Sequence, residues 1–114
     1  MELSCEDRGE LRLISVEDPR IDAAVAIQFK DRMRELTDQA PPRVLLDLSR
    51  VTFLDSSGLG AVVAAMKGAG PGRTLELAGL TPTVAKVFKL TRMDTVFTIH
   101  HDAGTIADGY ANAG

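Results

Sequence analysis

At 114 residues, 45% hydrophobic and 25% charged, the chain has the length and balance expected of one soluble globular domain, not of a disordered or membrane segment or of two domains. Thirteen basic against sixteen acidic residues leave a formal charge of −3, and aromatic residues are only 4% with no Trp, so direct nucleic-acid binding is not expected. The single Cys5 has no internal disulfide partner, Met1 to Asp7 lacks the basic-then-apolar layout of a secretory signal, and no apolar run has membrane length; a cytoplasmic protein without direct membrane contact is expected.

Taken in chain order, the turn at Arg8-Gly9 separates residues 2–7 from residues 10–16, where Leu11 and Leu13 alternate with Arg12 and Ile14, so a hairpin opens the domain. Asp22 is placed to cap a helix in which Val25, Phe29, Met33 and Leu36 recur three or four apart, and Pro41-Pro42 lies beyond its end. Residues 44–48 form an apolar run broken only by Asp47, the pattern of a central strand buried on both faces. A second helix over 56–69 takes Asp55 or Ser56 as its cap and stops at the glycine-rich run from Gly68. Residues 75–78 read as a strand, Pro82 as the first turn of a third helix carrying Val84, Val87, Phe88 and Leu90, and residues 96–99 as a last strand. Asp102 is a candidate cap for a C-terminal helix through Tyr110, against which Gly104 and Gly109 weigh. The alternation predicts an α/β domain with a mixed sheet of about four to five strands covered by about four helices.

Chemistry concentrates at Asp55-Ser56-Ser57-Gly58-Leu59-Gly60, where a buried strand and a turn deliver two hydroxyls to a helix start. Taken alone, Asp and Ser there need no reason beyond capping. A serine hydrolase would want a Gly two residues before its nucleophile, yet Leu54 precedes Ser56 and Asp55 precedes Ser57 at that spacing. Gly58-Leu-Gly60 lacks the third glycine of a dinucleotide loop, since Val63 stands there, and Gly68 to Thr74 lies between a helix and a strand in the reverse of phosphate-loop order. His100 and His101 read as exposed polar residues at a strand end, and no ligand cluster supports a metal site. No cofactor is implied. A small hydrolase using Ser57 is the weakest reading, because no base is placed for it.

The hexapeptide 55–60, about ten residues after the start of a buried strand, resembles the phosphorylation site of the STAS domain of bacterial anti-sigma factor antagonists. Arg20-Ile21-Asp22 is similar to that family's Gly-x-Leu/Ile-Asp element, with Arg20 in place of the glycine, and Leu75 to Pro82 resembles its fourth strand and following turn. Thr91-Arg92-Met93 stands where the family often has Thr-Gly-Leu. The resemblance implies a STAS fold over residues 1–114 and phosphorylation of Ser57 by an anti-sigma factor with serine kinase activity, reversed by a PP2C-type phosphatase. The unphosphorylated form would bind that anti-sigma factor and free the sigma factor. A STAS subunit of a lipid-transport complex, or a scaffold in a stress-signalling assembly, is the alternative; it would use the same helix face without the phosphate.

Around Ser57, Asp22 and Asp55 are expected on one acidic rim, with Ser56 beside them and Gly58 letting another backbone come close. Along the second helix Leu59, Val62, Val63 and Met66 form the stripe expected to pack on the sheet. The opposite row from Ser57 holds Gly60, Ala61, Ala64 and Gly68, with nothing larger than a methyl group, and is expected to be exposed for a partner's close approach.

Overall fold

The structure is a computed structural model, and residues 1–104 are described. β1 (Leu3–Arg8) and β2 (Leu11–Val16) pair antiparallel through a two-residue loop, where Gly9 at φ 60° supplies the positive angle such a hairpin demands. After a short β3 (Arg20–Ile21) the chain enters α1 (Ala26–Thr37), then β4 (Arg43–Asp47), a short β5 (Phe53–Leu54), α2 (Ser56–Gly68), β6 (Thr74–Ala78) and α3 (Pro82–Leu90). A 3₁₀ turn (Met93–Thr95) leads to β7 (Ile99–His100).

The five-stranded sheet runs β1-β2-β4-β6-β7, antiparallel only at its first pair, so the predicted mixed sheet is present and the strand expected at its centre is there. The apolar run 44–48 earns that place by feeding two layers. Val44 and Leu46 join Ile14, Val16 and Leu77 in the core beneath the helices, where Phe29, Met33, Val62, Val84 and Phe88 come down on them. Leu45 points the other way, packing with Leu11, Ala78 and Ala103. Alternate side chains of one strand are thus buried on opposite faces, which is why its sequence lacks the polar alternation of a half-exposed strand.

Three expectations change. Three α-helices lie among the described residues instead of about four; the helix expected over 102–110 falls largely outside them, although the Gly104 N–H donates to Asp102 Oδ1 at 2.8 Å where it would start. The last strand is Ile99–His100, later than 96–99, because Phe97 turns inward and packs edge-on against Phe88, with ring centroids 5.8 Å apart. Asp22 does not cap α1: its Oδ1 accepts from the Ala24 N–H and its carbonyl from the Val25 N–H, so it makes a turn one step before the helix, whose N-cap is Val25.

β3 and β5 form a separate two-residue parallel ladder, Arg20 opposite Phe53 and Ile21 opposite Leu54. This ladder brings the loop before α1 against the loop before α2, and so builds the rim on which the two serines stand.

Candidate functional site at the start of the second helix

Asp55 organises the site. Its Oδ1 accepts from the Gly58 N–H at 2.8 Å, the N-cap bond expected of a carboxylate before a helix, and its Oδ2 accepts from the Ala23 N–H at 3.1 Å. One side chain therefore ties α2 to the loop ahead of α1. The Asp55 N–H donates back to the Ile21 carbonyl at 3.4 Å. A carboxylate at this end also suits the partial positive charge of the helix N-terminus.

Ser56 and Ser57 follow on the first turn, both exposed, and neither hydroxyl is engaged by another described residue. Capping does not use them, since Asp55 already serves. Asp22 does reach this rim as expected, half-buried, with Oδ2 accepting from Arg20 Nε at 3.2 Å. The Arg20 guanidinium also lies over the Phe53 ring, its carbon 4.4 Å from the centroid.

Gly58 and Ala61 are corrections. Gly58 is buried, and a Cβ there would sit 2.0 Å from the Ile21 carbonyl oxygen, so the backbone it admits is the chain's own and not a partner's. Ala61 is buried at 2% exposure, within the core. The buried positions of α2 are Gly58, Ala61, Val62 and Ala65, while Leu59, Val63 and Met66 are half-buried. The cause is that α2 packs on α1 as well as on the sheet, so its covered arc is wider than one stripe and is rotated toward the small residues. Gly60, Ala64 and Gly68 remain exposed, as expected.

Sequence reasoning missed two constellations. The Arg20–Phe53 stack joins residues from separate short strands, and its only trace was a cation in the place of a glycine. The other is Glu76, 8% exposed on β6, whose carboxylate takes two hydrogen bonds from Arg43, at 2.8 and 2.7 Å, and lies 2.7 Å from His100 Nε2. The Arg43 guanidinium, followed by His100, holds the Glu76 carboxyl below its ordinary range against the opposing effect of burial. His100 is thus tied to Glu76 instead of standing exposed; His101 is exposed. A cleft of about 440 Å³ borders these histidines with Leu80, Phe88, Lys89 and Asp94, and Ser57 is not among its lining residues.

The family model described as Mlab, STAS domain matches residues 18–99, from the turn before β3 to the start of β7, and so spans the whole serine rim. The chain belongs to the STAS domain family. Solved structures agree on the fold. An anti-sigma factor antagonist from Mycobacterium paratuberculosis is 23% identical, with 96% of this chain and 92% of that one covered and a TM-score of 0.83. An anti-sigma factor antagonist (STAS) domain protein from Planctomyces limnophilus is 20% identical, covering 96% and 97%, at 0.82. The Bacillus cell fate determinant SpoIIAA in its phosphorylated form is 21% identical, covering 94% and 97%, at 0.68. No helix among the described residues of this STAS domain is long and apolar enough to cross a membrane.

Proposed function

We propose that this STAS domain is an anti-sigma factor antagonist: unphosphorylated, it binds an anti-sigma factor with serine kinase activity and releases the sigma factor, and phosphorylation of Ser57 switches it off. The observation that carries this reading is the Ser57 hydroxyl itself, exposed on the first turn of α2 and free of the capping role that Asp55 fills. The chain acts as the protein substrate and binding partner, and no catalytic role is assigned to it.

Transfer of a phosphoryl group from ATP forms a bond to Ser57 Oγ, displaces its proton and releases ADP; a PP2C-type phosphatase resets the switch by hydrolysis to inorganic phosphate. The phosphate brings about −1.5 to −2 charges to a helix N-terminus, where the dipole tolerates them. The helix is therefore expected to persist, and recognition to suffer, because Asp55 and Asp22 outnumber Arg20 on the rim and a surface matched to a neutral serine would meet a dianion.

The test is labelling of the chain by the serine kinase with ATP and mass mapping of the product, followed by calorimetry. Ser57→Asp is expected to weaken binding of the anti-sigma factor by about thirtyfold or more, Ser57→Ala to bind without being switched off, and Ser56→Ala to do little. Equal affinity of Ser57→Asp and the parent chain would remove phosphorylation control and favour a scaffold or transport-complex subunit.

A further inference from the structure

Arg20 is placed on the serine rim by β3, whose chain runs on through Asp22 to Ala23, the residue hydrogen-bonded to the helix cap Asp55. Its stacking partner Phe53, 39% exposed, lies four residues before Ser57 on the adjoining strand. The guanidinium is held from two sides, by the ring at 4.4 Å and by Asp22 at 3.2 Å through Nε, yet its side chain is 59% exposed. Both Nη groups have no partner among the described residues. Asp22, by contrast, has spent its two oxygens inside the chain, one on the Ala24 N–H and one on Arg20. The residue presented to a partner is therefore the arginine, and Asp22 is what aims it.

We infer that Arg20 is a specificity-determining residue that reads a carboxylate on the anti-sigma partner, an inference that rests on the function proposed above. A planar guanidinium fork, pre-oriented by a ring and an ion pair, matches a carboxylate through two parallel hydrogen bonds and loses little conformational freedom in making them. Without it, a partner carboxylate would face Asp22 and Asp55 and be repelled. The cation thus admits an acidic partner surface that a glycine at this position would reject, which is discrimination by both attraction and repulsion. The same rim favours a singly charged carboxylate over a dianionic phosphate, because the two aspartates oppose the second charge more strongly.

The test uses the purified serine kinase that phosphorylates Ser57, with calorimetry and thermal melts on each variant. Arg20→Gly is expected to bind about tenfold more weakly and Arg20→Glu about a hundredfold, with Arg20→Lys and Phe53→Leu between them and the parent, and with melting temperatures unchanged. Exchange of the matching acidic residue of the kinase for Lys should restore binding to Arg20→Glu. Arg20→Gly binding within about twofold of the parent, while Ser57→Asp still fails to bind, would overturn the inference and leave the proposed function standing. Loss of binding in Arg20→Gly with Ser57→Asp unaffected would support the Arg20 contact and remove phosphorylation control from the proposed function. The phosphorylated chain separates the remaining source of negative charge: the ³¹P titration of phosphorylated Ser57 should be the same in the parent and Arg20→Gly, and a higher midpoint in Arg20→Gly would mean that the guanidinium serves that phosphate within the chain, which also overturns it.

Discussion

Gly58 and Gly60 stand two residues apart on α2, and a Cβ would meet the Ile21 carbonyl oxygen at 2.0 Å on the first and nothing within 4 Å on the second. The same contrast runs down the helix: Ala61 and Ala65 are buried, Ala64 is open. Small residues on one face of α2 exist because the chain's own backbone and α1 come close. On the other face nothing in the described chain requires them. Two uses of one residue type are thus interleaved at helical spacing, and the serines lie at the boundary, on a turn whose inner side is locked by Gly58 and Asp55 and whose outer side is open.

The strongest test of that contrast is one methyl group at each glycine. Gly58→Ala must push β3 and α2 apart, or break the Asp55 bonds that join them, and is expected to lower unfolding free energy by about 3 kcal/mol in denaturant melts. Gly60→Ala meets open space in a helix interior, so the same substitution is expected to stabilise by about 0.5 to 1 kcal/mol, the ordinary difference in helix propensity. Opposite signs two residues apart would establish the two faces. Equal signs would mean that the Ile21 carbonyl yields freely, or that Gly60 is strained in a way its surroundings do not show.

What the sequence revealed follows from what each signal depends on. Residues 44–48 could be placed at the sheet's centre because an uninterrupted apolar run between turns needs cover on both sides, and Asp55 could be read as a cap because capping is decided within four residues. The role of Ala61 was not legible in the same way. Helical period gives the angle between side chains, but how wide an arc is covered depends on α1, whose packing against α2 is tertiary. Asp22 shows the same boundary at shorter range, since it turns the chain through the Ala24 N–H while its other oxygen meets Arg20 and the neighbouring Ala23 N–H is held by Asp55, 32 positions away. Phe97 delayed the last strand for a comparable reason, its ring being drawn to Phe88. The stack of Arg20 on Phe53 joins residues 33 positions apart through a ladder of two residues per strand, too short to leave a pattern.

The smallest effect on stability is expected at Ala64. It is exposed on the open face, in the row from Ser57 through Gly60 to Gly68, and borders a shallow groove with Lys30 and Arg34 of α1. Arginine is nearly as good a helix former as alanine and can extend into solvent, so Ala64→Arg should change unfolding free energy by no more than about 0.5 kcal/mol. Its effect on binding is expected to be far larger, because a long side chain rises from a row no bulkier than a methyl group and adds a further cation beside Lys30 and Arg34. Denaturant melts and calorimetry on one preparation separate the outcomes. A folded Ala64→Arg that no longer binds the anti-sigma factor places the docking surface along the open face of α2. If it binds as the parent does, contact is confined to the serine rim and Arg20; if it unfolds, the division of this helix into a locked face and an open one is wrong at its middle.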